Sequence, residues 1–182
     1  MEANPVLYSY YRGPVAESVH RGCVCIVDQD GSVPFALGDP YQLTYPRSAL
    51  KFFQQIPLVE SGAAEVLGLT KKELALTCGS HNGEEAHVKG VRSILAKAGL
   101  DETALQCGPQ LPSRHRDRLA FYKADYEPAA VYNNCSGKHA GFLALCRYWN
   151  CSTDDYLDYE HPVQQAVRQA VAAMHDSRPA DL

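Results

Sequence analysis

The sequence predicts a mixed α/β fold of the α+β type, and three observations carry that prediction. Two apolar runs, Val24 to Val27 and Val33 to Leu37, flank Asp28-Gln29-Asp30-Gly31, whose Asp-Gly step supplies the positive φ of a tight hairpin turn. From Pro46 onward the apolar residues recur at helical spacing, between capping residues and glycine stops. A hairpin followed by several helices fits a sheet packed with helices, and so few strands are visible that later ones would have to complete the sheet.

The helical elements can be justified in order. Ser48 to Gln55 should form a helix stopped near Pro57, and Glu60 to Leu67 a second one ended by Gly68. Thr70-Lys71-Lys72-Glu73 has capping-box spacing, so a short helix should start there and run into Cys78-Gly79-Ser80, where glycine breaks the run and exposes Ser80. Between Gly83 and Ala98, the residues Val91, Ile94, Leu95 and Ala98 mark one stripe, with Gly99 as its stop. Cys107 to Pro128 carries Pro109, Pro112 and Pro128 among charged residues and reads as a long irregular connection of the kind that borders a site. Gly137 to Trp149 is apolar nearly all round, the pattern of a central buried helix. Val163, Ala166, Val167, Ala170, Val171 and Met174 form an amphipathic stripe that needs a partner to cover it.

Composition narrows the function. With 46% hydrophobic residues in 182, the chain can build a real core. A formal charge of −4, from 17 Lys+Arg and 21 Asp+Glu well mixed along the chain, leaves no basic stripe for nucleic acid or an anionic membrane surface. Small-molecule chemistry is the expected work. Met1-Glu2-Ala3-Asn4-Pro5 lacks a basic region followed by an apolar run, and no segment approaches a membrane span, so a cytoplasmic protein is expected. Its seven cysteines then read as reduced thiols. Cys23 and Cys25 should share one strand face as small hydrophobes, and Cys78, Cys107, Cys146 and Cys151 read as structural too; Cys135 is the exception.

Three motifs carry chemistry. In Tyr45-Pro46-Arg47-Ser48-Ala49-Leu50-Lys51, serine precedes lysine by three residues at a helix start, so the Lys51 amine can reach the Ser48 hydroxyl and, when neutral, take its proton. Arg47 and the positive end of the helix dipole favour a developing alkoxide, which is the logic of Ser-Lys acyl transfer. Ser-Lys enzymes commonly need a second hydroxyl to move the proton, and Ser80, in Cys78-Gly79-Ser80-His81-Asn82-Gly83-Glu84, lies on a loop able to supply it. The same loop also reads as a plain capped turn. In Asn133-Asn134-Cys135-Ser136-Gly137-Lys138-His139, Cys135 sits near a lysine and a helix start, where a thiol is reactive or ligates metal, and His139 shares its face. Two protein groups alone do not make a zinc site, and packing is the competing reading.

These motifs, in this order and extended by Leu76-Thr77 before the second and Ala140-Gly141 after the third, closely resemble those of the Rhizobium-type L-asparaginases, the asparaginase II or class 3 family. The resemblance runs over essentially all 182 residues, including Glu17-Ser18-Val19-His20-Arg21-Gly22 and His161-Pro162. It implies the fold of serine β-lactamases and glutaminases, a homodimer, and hydrolysis of L-asparagine to aspartate and ammonia. By the same resemblance Ser48 is the nucleophile, Lys51 its base and Ser80 the second active-site serine, with Arg47 beside them and His139 lining the substrate pocket. Cys135 and Lys138 match zinc ligands. Family members are nearly twice as long, and their second half supplies a further cysteine, an aspartate and another lysine, so residues 1–182 are expected to be the N-terminal portion of a longer domain. Two alternatives stand beside this reading: another Ser-Lys acyl hydrolase of glutaminase or penicillin-recognising type, and an inactive truncated remnant whose last amphipathic helix exposes its stripe.

Overall fold

Two kinds of sequence pattern become two kinds of structure. The structure, a computed structural model, describes residues 2–175 and 177–179, and the chain divides into two units, Met1–Tyr45 and Pro46–Leu182.

The first unit contains strands and turns. β1 (Val6–Arg12) and β2 (Val15–Arg21) pair antiparallel, with Arg12 opposite Val15 across Gly13-Pro14. This hairpin lies ahead of the one that the Asp-Gly turn predicts. Its strands, rich in Tyr and Ser, lack the apolar/polar alternation of a half-buried strand, and nearly all their residues are exposed. β3 (Val24–Ile26) and β4 (Phe35–Leu37) form the predicted pair, Val24 opposite Leu37. Its loop is closed by Asp28 N–H on Ser32 O at 2.8 Å and Gly31 N–H on Asp28 O at 3.0 Å. Cys23 and Cys25 are both exposed, contrary to the reading of them as packed hydrophobes, because β3 and β4 are three residues long and bury none of them.

The second unit is helical. A 3₁₀ turn, Arg47–Leu50, leads into α1 (Lys51–Gln54), followed by α2 (Ile56–Glu60) and α3 (Ala63–Val66). Pro57 lies in the first turn of α2, where its missing N–H costs nothing, so it starts a helix in place of stopping one. The helix expected over Glu60 to Leu67 is divided at Gly62, whose φ of 81° a side chain would strain.

α4 (Lys71–Thr77) starts at the predicted capping box: Glu73 N–H reaches Thr70 Oγ1 at 3.3 Å, and Thr70 N–H reaches the Glu73 carboxylate at 2.7 Å. That carboxylate also accepts from Ser93 Oγ and Lys97 Nζ, each at 2.6 Å, and both lie on α5 (Glu85–Lys97). The cap therefore ties α4 to α5. Burial pushes the Glu73 carboxyl up, but the bonds from Lys97, Ser93 and Thr70 outweigh it and hold the group at about 2.

On α5, Val91, Ile94 and Leu95 are each 0% exposed, worth roughly 2 kcal/mol apiece in apolar burial. They face α7 (Ser136–Trp149), which is buried nearly continuously through Cys146 and forms the centre of the unit. The segment expected to be irregular, 107–128, contains α6 (His115–Lys123). One apolar anchor holds it, since Phe121 is buried edge-on to Tyr132 with centroids 5.0 Å apart, and a single anchor among charges leaves no helical stripe to read. α8 (Pro162–Met174) buries Val163, Val167 and Val171, and it packs on α1, α2 and α7. The stripe expected to stand open is thus covered at those positions, while Met174 is exposed. The mixed helix and strand character is observed, with strands in one unit and helices in the other. Among the described residues, no helix is long and apolar enough to cross a membrane.

Candidate active site

Ser48 is exposed in the 3₁₀ turn, and Lys51 opens α1 with only 3% of its surface exposed. Arg47, just ahead of them, holds φ at 49°, a left-handed value costly for a residue with a Cβ and often found where a side chain must be aimed. The i,i+3 spacing predicts Lys51 against Ser48, but the amine goes elsewhere. Lys51 Nζ donates to Ser80 Oγ at 2.8 Å, and longer bonds reach Gly79 O at 3.3 Å and Asn134 O at 3.4 Å. Ser80 Oγ in turn donates to Ser48 Oγ at 3.1 Å. The three side chains therefore form one chain, Ser48 to Ser80 to Lys51, with the second serine in the middle.

Two local features hold Ser80 there. α4 ends at Thr77, so Cys78 and Gly79 carry the chain toward α1. The next residue, His81, is bonded across to the third motif: its N–H donates to Asn134 O at 3.2 Å, and its ring Nε2 lies 2.9 Å from Ser136 Oγ. His81 Nδ1 accepts from Gly83 N–H at 3.1 Å, which leaves the proton on Nε2 for Ser136. Burial, with His87 and Lys51 nearby, depresses this imidazole to about 4, so it is neutral near pH 7.

The third motif leads into α7, with Cys135 at its first boundary position. Cys135 N–H is held by Asn133 Oδ1 at 2.8 Å, and Cys135 Sγ lies 3.2 Å from Asn134 Oδ1. Lys138, one turn on, stands over the Phe142 ring at 5.4 Å, and burial above all lowers its pKa. His139 is buried, its Nδ1 2.7 Å from the Tyr156 hydroxyl, which accepts Gln106 N–H at 2.9 Å. Burial, then the charges of Lys138 and Lys51, push its imidazole down to about 3.

Comparison with protein families matches residues 8–182 to the model of L-asparaginase II. The chain belongs to the L-asparaginase II family. Comparison with curated proteins gives no match. Family membership supports an amidohydrolase acting on a small molecule, with asparagine hydrolysis as the general chemistry.

In this L-asparaginase II family protein the seven residues singled out by sequence fall in the helical unit: Arg47, Ser48 and Lys51 where α1 begins, Ser80 after α4, and Cys135, Lys138 and His139 where α7 begins. The donor chemistry at Cys135 suits a soft divalent metal. A half-buried thiol and an amine whose neutral form burial favours are present, and Cys107 is near enough for its charge state to respond to both. Four residues that sequence reasoning gave no role also shape the site. Asn134 O accepts from both Lys51 and His81, His81 links two motifs, Tyr156 fixes His139, and Cys107 O accepts Asn133 Nδ2 at 2.7 Å. Asn134 and His81 stand inside the quoted motifs, but only tertiary contact reveals what they hold.

The two depressed imidazoles fix an acid limit. Unfolded histidine takes a proton near 6.5, whereas His81 and His139 resist it to about 4 and about 3. The unfolded state binds more protons in that window, so their contribution is complete above about pH 6.5, is lost progressively as pH falls from there, and is gone once pH reaches the folded values. Urea unfolding at pH 7 and pH 4.5 should show a loss on the order of 5 kcal/mol. A His81→Gln, His139→Gln double variant should lose clearly less, and an equal loss would remove these residues as the cause.

Proposed function

We propose that this chain hydrolyses L-asparagine to L-aspartate and ammonia through an acyl-enzyme on Ser48. The hydrogen-bonded chain Ser48–Ser80–Lys51 carries the reading. With Lys51 neutral, both hydroxyls turn to donate toward it, the reverse of the sense in which the bonds run in the structure, and Ser48 Oγ attacks the side-chain amide carbon while its proton passes to Ser80 and the Ser80 proton passes to the amine. Backbone amides near Ser48 stabilise the oxyanion. Return of the proton from Lys51 through Ser80 expels ammonia, and water then releases aspartate by the same path. Arg47, a fixed positive charge beside the nucleophile, suits the substrate carboxylate, and His139 lines the pocket as a neutral ring.

Zinc belongs to the same proposal. Cys135 Sγ and Lys138 Nζ would hold it, and bound zinc would supply a fixed positive charge near the relay. Metal analysis tests this, since zinc content should fall by about one ion per chain in Cys135→Ala; an unchanged content would remove Cys135 as a ligand. A β-lactamase-like fold and a homodimer, which the motif resemblance implies, and a cytoplasmic setting complete the proposal; seven cysteines read as reduced thiols agree with the last of these.

The deciding experiment compares ammonia release from asparagine and from glutamine, with β-lactam hydrolysis as a third arm. Asparagine should be turned over at least about tenfold faster than glutamine, as a pocket built for a side chain one methylene shorter allows. Faster glutamine or β-lactam turnover would transfer the same relay to another acyl hydrolase. No turnover of any of the three by folded protein would favour a non-catalytic chain.

A further inference from the structure

Outside the Ser48 relay, three metal-ligating side chains converge where α7 ends and α8 begins. Cys146, Cys151 and His161 each place a ligand atom within 4.8 Å of the other two. Among the described residues no other set of three His, Cys, Asp or Glu groups comes this close. In a tetrahedral zinc site, with Zn–S of about 2.3 Å and Zn–N of about 2.0 Å, such atoms stand roughly 3.5 to 3.8 Å apart. The cluster therefore needs to contract by at most about 1.3 Å, within the reach of side-chain rotation.

The backbone brings the three together. Cys146 is fully buried on α7, and Asn150, at φ 53°, ends that helix in the left-handed conformation. The reversal sets Cys151 N–H on Cys146 O at 3.0 Å, with Cys151 Sγ beside the same carbonyl at 3.6 Å. His161 caps α8: its Nδ1 accepts from Val163 N–H at 3.2 Å, and its Nε2–H donates to Ser152 O at 3.1 Å. The second bond is the kind of outer contact that fixes the tautomer and angle of a metal-bound imidazole. The Asp155 carboxylate, 3.9 Å from His161 Nε2, adds negative charge at the rim.

We infer that Cys146, Cys151 and His161 bind a zinc ion with a fourth position left to solvent, clasping the segment 151–161 onto α7. On binding, the two thiols release their protons to solvent, the His161 lone pair exchanges a backbone N–H for the metal, and no electrons are transferred. The clasped segment carries Tyr156, the partner of His139, so the ion would hold the loop that orients a residue of the candidate pocket. The inference does not depend on asparagine being the substrate or on metal at Cys135.

Cobalt(II) titration tests it, because thiolate coordination gives an intense sulfur-to-cobalt charge-transfer band. Reduced full-length Cys135→Ala protein should develop the band at one equivalent and lose it when zinc is added in competition. Cys135→Ala/Cys151→Ser, with the same metal-free melting temperature, should bind at least tenfold more weakly. A second readout uses only the Cys135→Ala protein: zinc should slow alkylation of Cys151, mapped by mass spectrometry. Absence of the band in Cys135→Ala, an undiminished band in the double variant, or alkylation unaffected by zinc would each overturn the site. So would a Cys146–Cys151 disulfide standing in place of the metal, counted as two missing thiols in unreduced protein.

Discussion

Replacing Ser48 with alanine should cut ammonia release from asparagine by at least about 10³-fold without unfolding the protein. The two halves of this expectation rest on different observations. Ser48 is exposed, and its hydroxyl is held by a single hydrogen bond from Ser80, so the substitution removes little packing. Its stability cost should stay below about 1 kcal/mol. The chemical cost is far larger, because without the oxygen no acyl-enzyme forms and only binding and oxyanion stabilisation remain. Ser80→Ala is the informative neighbour. It leaves the nucleophile but opens the path to Lys51, and a loss on the order of 10²-fold to 10⁴-fold is the usual consequence of removing a proton carrier. If Ser48→Ala protein turned over asparagine at the normal rate, Ser48 would not be the nucleophile, whatever Ser80→Ala showed.

What could be read from sequence divides by the range of the interaction that decides it. The Thr70–Glu73 cap, the Val91-Ile94-Leu95 stripe and the apolar run of α7 are set by residues within one or two helical turns, and local pattern finds them. The β1–β2 hairpin escapes because its side chains are exposed on both faces, leaving no alternation. α6 escapes because one buried phenylalanine cannot make a stripe. The site shows the same division. Motif spacing picks out Ser48 and Lys51 as a pair, yet the lysine bonds Ser80, 29 residues away, and the serine is reached from Ser80, 32 residues away. No periodicity reports that crossing; only the family pattern brings the three motifs together. The backbone carbonyl of Asn134, which accepts from both Lys51 and His81, has no side-chain signature at all.

The close approach of α4 and α7 places the Ser80 loop, and a glycine permits it. A Cβ on Gly137 would collide with the Leu76 carbonyl oxygen on α4, a clash with backbone that no rotamer relieves. Gly137→Ala should therefore destabilise the protein by about 3 kcal/mol or more, a fall in melting temperature of several degrees, although alanine is the better helix former by about 1 kcal/mol. Leu76 lies four residues before Ser80, so the displacement should also stretch the Ser80–Ser48 bond and lower turnover in whatever fraction folds. Gly90→Ala supplies the contrast, since its Cβ would meet Leu76 through the end of the side chain, Cδ2 at 2.7 Å. That methyl can move, and the cost should be under about 1 kcal/mol. Differential scanning calorimetry of the two variants separates helix propensity from helix spacing. Gly137→Ala protein melting with the wild type would mean that α4 and α7 do not meet backbone to backbone, and the anchor proposed for Ser80 would be lost with that contact.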